Sequence, residues 1–125
     1  MKSSYPNTKI IINKFLFLEE FGFRITREEN LNFGSYVEFK GNGIKICLDF
    51  EFKSYIFSID IYKNEELQYS DSAYGKEIIS LCELAKRHFL IFDCSILQPN
   101  KELGYEASLD ANAKLLKELV ILQMC

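Results

Sequence analysis

Acidic and aromatic side chains alternate with apolar ones between positions 36 and 62. This polar set comprises Tyr36, Glu38, Asp49, Glu51, Asp60 and Tyr62. Because successive side chains of a β-strand point to opposite faces, residues of one parity share a face. Carboxylates clustered beside tyrosines can receive a basic partner protein through electrostatic complementarity and steering. The sequence therefore predicts a partner-binding face at these positions. The alternative is that this parity is simply the solvated face of a two-layer domain.

Glu38 and Asp60 are the two carboxylates that could work as a general acid and base. Neighbouring carboxylates can raise the pKa of one member of the pair. On the predicted strands, however, these residues flank Cys47 on an open surface, whereas acid–base catalysis needs a sheltered site and a matched pKa. No catalytic residue is predicted on this basis.

A cysteine nucleophile activated by His88 is a second chemical hypothesis. On an ideal helix, Cys82 and Cys94 each lie six residues from His88, about 240° around the axis, so neither shares its face. The four cysteines form no CxxC pair, and their spacing does not resemble the disulfide framework of a secreted protein. We therefore expect His88 at a boundary position and the cysteines as small apolar residues.

Neither a metal nor an organic cofactor is predicted. One histidine and scattered cysteines supply a poor set of zinc ligands. The glycine-rich run Gly41-Asn42-Gly43 precedes a predicted strand, whereas a phosphate-binding glycine loop opens a helix. A β-hairpin explains these glycines.

The length and composition predict a single domain spanning residues 1–125, and the pattern of strands and helices described below assigns it to the α+β class. Apolar residues make up 48% of the chain and charged residues 26%, which favours a folded core over disorder. The net charge of −3 and the absence of a basic cluster argue against nucleic acid. The first apolar run is interrupted by Asn13 and Lys14, so neither a signal peptide nor a membrane span is predicted, and we expect a cytoplasmic protein.

The central strands form an antiparallel meander in which the turn Asn42-Gly43 sets the register. A two-residue turn at this point keeps every cross-strand pair on one face. It predicts the pairs Lys40–Lys45, Phe39–Ile46, Glu38–Cys47 and Val37–Leu48. The next connection, Lys53-Ser54 or a four-residue loop around it, predicts the pairs Phe50–Phe57, Leu48–Ile59 and Ile46–Ile61. The inward parity, which comprises Phe39, Ile46, Leu48, Phe50, Phe57, Ile59 and Ile61, should form the core.

Helices and a further strand flank the meander. We predict a first helix over Thr8 to Phe21, closed by Gly22, and a strand over Phe23 to Glu28 in which Glu28 points outward. A second helix should begin near Lys76 and present Ile78, Cys82, Ala85, Phe89 and Phe92 on one face. Asp93 to Leu97 is either a helix end or a short edge strand.

Ser108 is the predicted N-cap of a third helix that runs to the carboxyl terminus. This helix has two apolar stripes, Leu109, Ala113, Leu116 and Val120, and Leu115, Leu119 and Leu122. The wide apolar arc either lies in a groove between the sheet and the second helix or meets a partner. The predicted order is α-β-β-β-β-α-α, a four-stranded antiparallel sheet with helices on one face.

The run FLFLEEFGF from Phe15, followed by an alternating meander and helices, resembles the small bacterial immunity proteins of polymorphic toxin systems. The resemblance covers the general layout and identifies no site residue. It implies a protein that neutralises a cognate toxin by binding it, without catalysis of its own. An acidic face is suited to blocking the cationic cleft of such a toxin.

The leading hypothesis is therefore a non-catalytic protein-binding module of the immunity type. The alternative is a small-ligand-binding module or enzyme with a pocket between sheet and helices. A third hypothesis is homodimerisation through the third helix or a sheet edge.

Overall fold

The computed structural model describes residues 8–32, 34–53, 56–64, 78–89, 93–99 and 105–121. It is an α+β structure with one antiparallel sheet of five strands in the order β1-β2-β3-β4-β5. The elements are α1 Thr8–Lys14, α2 Phe17–Glu20, β1 Arg24–Asn30, β2 Gly34–Gly41, β3 Ile44–Glu51, β4 Ile56–Tyr62, β5 Ile78–Ser80, α3 Leu81–His88, a 3₁₀ helix Cys94–Leu97 and α4 Glu106–Ile121. The predicted α+β class is confirmed, but the predicted number of four strands is wrong.

The turn between β2 and β3 has the predicted two-residue geometry. Asn42 and Gly43 have φ angles of 55° and 79°, and left-handed conformations at both central positions define the turn type that matches the twist of a hairpin. All four predicted pairs across β2 and β3 are observed. The assignment of polar and apolar residues to opposite faces is therefore confirmed for these strands.

The connection from β3 to β4 is the four-residue alternative. Glu51 and Ile56 form the last cross-strand pair, so residues 52–55 make the loop, of which 54 and 55 lie outside the described residues. The three predicted pairs across these strands are observed. The alternation of inward and outward residues was enough to predict this register, although Lys53 and Ser54 are unfavourable residues for a two-residue hairpin turn.

β1 differs from its prediction because it contains a β-bulge. The register with β2 shifts between Ile25 and Arg27, and the strand continues to Asn30. A bulge inserts one residue and moves every later side chain to the other face. Glu28 was predicted to point outward, but it pairs with Val37 on the inner side of the sheet. Arg27 and Glu29 take the outward positions instead.

β5 occupies residues that were predicted to begin the second helix. Ile78 and Ile79 are 1% and 2% exposed, so both faces of this short strand are covered, a setting that suits β-branched residues. The helix α3 begins only at Leu81, where Ser80 Oγ accepts a hydrogen bond from the Glu83 amide at 3.1 Å. The predicted start at Lys76 and the predicted face residue Phe92 lie outside the described residues.

The helices cover the inner face of the sheet. The predicted first helix is broken at Phe15 and Leu16 into α1 and α2. Ser108 is not the N-cap of α4, because the helix begins at Glu106 and Ser108 Oγ donates to the Tyr105 carbonyl at 2.8 Å. The described residues of the two stripes of α4 are buried or partly buried in the core of this chain, while Leu122 lies outside the described residues. The apolar arc of α4 is therefore packed within this chain, against α1, α3 and the 3₁₀ helix.

Two cysteines that were predicted to be small apolar residues form a disulfide. Cys82 in α3 and Cys94 in the 3₁₀ helix are joined, with Cα atoms 5.7 Å apart. Asp93 caps the 3₁₀ helix by accepting from the Ser95 amide at 3.0 Å, so this segment is neither of the two predicted alternatives. Among the helices that the structure describes, none has both the length and the apolar character needed to cross a membrane.

Candidate binding face of the sheet

All six predicted partner-binding residues lie on the face of the sheet that is turned away from the helices, here called the outer face. The strand registers arrange this face in four rows, starting from the Asn42-Gly43 turn. The rows are Arg24-Lys40-Lys45-Tyr62-Ile78, Arg27-Glu38-Cys47-Asp60-Ser80, Glu29-Tyr36-Asp49-Ser58 and Gly34-Glu51-Ile56. The predicted rows Glu38-Cys47-Asp60 and Tyr36-Asp49-Ser58 are confirmed.

The outer face has both signs of charge, and apart from Arg27, which lies among the carboxylates, the cations form a separate row. Three of its four cations, Arg24, Lys40 and Lys45, form the row beside the turn. The carboxylates lie farther from the turn, in the rows that contain Glu38, Glu29, Asp49 and Glu51. Arg27 and Glu29 were not among the predicted site residues, because the bulge that turns them outward leaves no signature in the alternation.

One corner of the outer face is buried. Cys47, Tyr62 and Ile78 are 7%, 5% and 1% exposed and form a small second cluster, against which Tyr36 packs. Lys45 Nζ lies 4.4 Å from the centre of the Tyr62 ring, in the geometry of a cation–π contact. Tyr62 was predicted to contact a partner, but its burial makes it a structural support of this corner.

Tyr36 links the buried corner to the open part of the face. Its hydroxyl donates to Glu38 Oε1 at 3.2 Å and lies 3.3 Å from Cys47 Sγ. The other oxygen of Glu38 accepts from Thr26 Oγ1 at 2.7 Å. Burial, followed by the neighbouring Cys47 and Glu38, raises the pKa of Tyr36, so its hydroxyl keeps its proton and remains a donor. These contacts fix the position of the Glu38 carboxylate.

Burial also raises the pKa of the Cys47 thiol, against the opposing influence of Tyr36 and Lys45. Cys47 is a free cysteine between Glu38 and Asp60. A nucleophilic cysteine needs a lowered pKa, because the thiolate is the reactive form. The arrangement therefore favours an inert, protonated thiol at this position.

The open part of the outer face forms a shallow depression of ≈ 350 Å³. Its lining residues are Arg27, Glu29, Leu31, Tyr36, Glu38, Lys45, Asp49 and Tyr62. The Arg27 guanidinium lies 5.1 Å from the centre of the Tyr36 ring and pairs with the Glu29 carboxylate. Acidic, basic and aromatic groups thus border one depression, in which Lys45 and Tyr62 are buried.

Asp49 is the exposed acidic residue at the centre of this surface. Partial loss of solvation on the sheet, followed by repulsion from the Glu51 carboxylate, raises the pKa of Asp49. Two aliphatic side chains lie at the same end of the face, Leu31 at 46% and Ile56 at 54% exposure. This end therefore offers negative charge beside accessible apolar surface.

The space between the sheet and the helices is filled by aromatic side chains. Phe15, Phe39, Phe50 and Phe52 are fully buried. The ring of Phe50 lies 6.1 Å from that of Phe15 and 4.7 Å from that of Phe57, distances typical of packed aromatic pairs. The side chains of Tyr36, Glu38 and Asp49 lie on the opposite side of the sheet from this packed layer, while a second depression, of ≈ 390 Å³, lies at the surface between α1 and α4.

Comparison of the chain with protein-family models, with curated proteins and with solved structures finds no match.

Proposed function

We propose that this chain is a non-catalytic protein-binding module of the immunity type, acting in the cytoplasm, that binds a cationic partner protein through the open part of its outer face. The central contacts are the carboxylates of Glu38, Asp49 and Glu51 with the Tyr36 ring. Asp60 is the cross-strand partner of Cys47 and extends the negative charge towards the buried corner.

The observation that supports this proposal best is the convergence of several carboxylates, among them the positioned carboxylate of Glu38, and accessible apolar side chains on one open surface. Glu38 is held by both Tyr36 and Thr26, so its charge is presented without further ordering. Preorganised groups lose little conformational entropy on binding. Leu31 and Ile56 supply the exposed aliphatic surface that a protein interface desolvates.

The distribution of charge on the outer face indicates where the basic surface of the partner would bind. A basic segment of the partner would lie over Asp49 and Glu51, while Arg24 and Lys40 beside the turn would repel it. The partner is therefore expected to bind in one orientation, with its basic surface towards the end of the sheet that is remote from the Asn42-Gly43 turn.

A pocket between sheet and helices, the basis of the alternative function, has little room among the described residues, because buried phenylalanines occupy this layer. On the outer face the depression is open, and an open surface does not exclude water as acid–base catalysis requires. No catalytic residue is proposed for this face.

The experiment begins with capture of a partner from the native host and its identification. Binding of the purified partner is then measured by calorimetry for the wild type, Glu38→Lys, Asp49→Lys and Asp60→Lys. We expect Glu38→Lys and Asp49→Lys each to weaken binding by at least about tenfold, since like charges opposed across an interface cost several kcal/mol. Asp60→Lys should have a smaller effect because it lies nearer the buried corner.

Glu118→Lys is the matched control. It makes the same change of charge at an exposed position on α4, in the helical layer. Equal affinity for the wild type, Glu38→Lys and Asp49→Lys would exclude the outer face as the binding surface. Equal weakening by Glu118→Lys would show that only the net charge matters.

A further inference from the structure

The edge of the sheet at β4 is only partly covered by a strand. β5 pairs with the last three residues of β4, from Asp60 to Tyr62. The first half of β4 has no strand partner on this side among the described residues. An open strand edge presents unpaired N–H and C=O groups, which natural proteins usually cover.

A single side chain takes the place of a strand at this point. Gln98 Oε1 accepts a hydrogen bond from the Phe57 amide at 2.8 Å, and Gln98 Nε2 donates to the Phe57 carbonyl at 2.7 Å. The carboxamide thus satisfies both backbone groups of Phe57, as a paired residue of a neighbouring strand would.

Gln98 belongs to a short segment, residues 93–99, that is held at two points. Leu97 is 3% exposed, and its carbonyl accepts from Asn112 Nδ2 at 2.8 Å. The second point is covalent, because Cys94 is joined to Cys82 in the first turn of α3, directly after β5. One half of the β4 edge is covered by Gln98 and the other half by β5. The disulfide therefore joins the segment that contains Gln98 to α3, the helix that directly follows β5.

We infer that the Cys82–Cys94 disulfide is a redox-controlled latch that holds Gln98 on the edge of β4, and that its reduction uncovers the backbone groups of Phe57. Both sulfur-bearing residues are partly exposed, so a reductant can reach them. One thiol of a dithiol would attack one sulfur of the disulfide to give a mixed disulfide and release the other cysteine as a thiol. The second thiol of the dithiol would then attack the mixed disulfide and release the remaining cysteine. Two electrons and two protons pass to Cys82 and Cys94, and the dithiol leaves as a cyclic disulfide.

The size of the effect follows from the length of the closed loop. The two cysteines are 12 residues apart in sequence. Closing a fully unfolded loop of roughly this length restricts it by about 100-fold in the chain-entropy model. Because α3 occupies much of this loop and stays folded during local opening, about 100-fold is the upper bound of the effect. Leu97 and Asn112 still favour the closed position after reduction, so the change is a local opening of the segment and not unfolding of the domain.

Hydrogen exchange of backbone amides, followed residue by residue by NMR with and without a dithiol, tests the latch. In the oxidised protein the Phe57 amide should be protected, and reduction should speed its exchange by at least about threefold and at most about 100-fold. The amide of Leu48, in the centre of the sheet, should not change. Gln98→Ala should give fast exchange at Phe57 in both redox states, because it removes the cover and leaves the disulfide.

Cys94→Ser removes the disulfide and so provides the same test without a reductant. If this variant does not fold, the test relies on reduction of the wild type. Unchanged protection of Phe57 after reduction would overturn the inference. Equal acceleration at Phe57 and Leu48 would also overturn it, since the disulfide would then stabilise the whole fold. The inference would also be overturned if Cys82 and Cys94 remained as free thiols in protein purified in air. None of these readouts depends on the proposed partner.

Discussion

The two faces of the sheet are made by the same strands but have different physical tasks. On the inner face, the apolar residues of β2, β3 and β4 are at most 5% exposed and pack against the helices. On the outer face, exposure varies from the buried Tyr62 to the exposed Asp49. Adjacent residues of one strand can therefore affect separate properties. Inner residues determine the free energy of unfolding, and outer residues determine what the surface can bind.

The largest expected effect distinguishes two neighbours on β3, Phe50 and Asp49. Phe50→Ala removes a fully buried ring that contacts the rings of Phe15 and Phe57, so we expect a loss of about 3–5 kcal/mol in the free energy of unfolding. Asp49→Ala, one residue away on the outer face, should change it by less than about 0.5 kcal/mol. Urea unfolding of both variants measures the difference. Comparable losses would contradict the division between the faces.

The next largest effect is expected for Gly41, where the backbone at the end of α2 approaches β2 closely. A Cβ atom on Gly41 would lie 2.3 Å from the Gly22 carbonyl oxygen and 2.7 Å from Phe23 Cα, and these backbone atoms cannot rotate away. Gly41→Ala should therefore cost about 3 kcal/mol, the upper range for overpacking.

Gly43→Ala is the control within the same hairpin. Gly43 has a positive φ and nothing within 4 Å of the added atom, so only the backbone conformation is penalised, by roughly 1–2 kcal/mol. Thermal or urea unfolding should rank the variants in this order. A larger loss for Gly43→Ala would mean that turn geometry, and not the close contact, sets the requirement for glycine at this hairpin.

A smaller effect is expected at Tyr36, which lies on the outer face. Tyr36→Phe keeps the ring and removes the hydroxyl that donates to Glu38, so we expect a loss of about 0.5–1.5 kcal/mol in the free energy of unfolding. A double-mutant cycle with Glu38→Ala, which removes the acceptor, isolates this interaction. Additive losses would show that the hydrogen bond contributes no stability and that the outer network serves recognition only.

The smallest effect is a pair of opposite pH dependences. Loss of solvation and the Glu51 charge raise the pKa of Asp49, so its ionisation disfavours the folded state. Stability should fall as the pH rises from the unfolded value near 3.8 through the folded value, and should stay lower above it. Asp49→Asn removes this decline.

Asp93 should behave in the opposite way, because hydrogen bonds from Ser95 lower its pKa. Its favourable contribution is present above the unfolded value and is lost as the pH falls through the folded value. Asp93→Asn should therefore flatten the acid side of the stability profile. Urea unfolding at several pH values checks both signs, and equal slopes for the two variants would contradict the assignments.

The alternation of residues predicted the central strands well, because parity is a strong constraint where one face is buried. The Asn42-Gly43 turn fixed the register of β2 and β3, and the inward parity of β3 and β4 fixed the next pairing. The six candidate site residues were placed on one face for the same reason.

Features that depend on a single residue or on distant contacts could not be predicted. The bulge in β1 requires one inserted residue and brings Arg27 and Glu29 to the outer face. The short strand β5 has too few residues to show a period of two. The burial of Tyr62 and the disulfide between Cys82 and Cys94 depend on tertiary proximity, of which the sequence spacing gives no sign.

The contacts of Asn42 have a consequence for the order in which the chain folds. Besides occupying the turn, Asn42 donates its side-chain amide to the Phe21 carbonyl at 2.8 Å, at the end of α2. Every strand pairs with its neighbour in sequence, and such local contacts favour rapid folding. Closure of the β2–β3 hairpin gives Asn42 the left-handed backbone conformation in which its side chain contacts the end of α2 in the folded protein. We therefore expect hairpin formation to precede docking of the amino-terminal helices in the folding transition state.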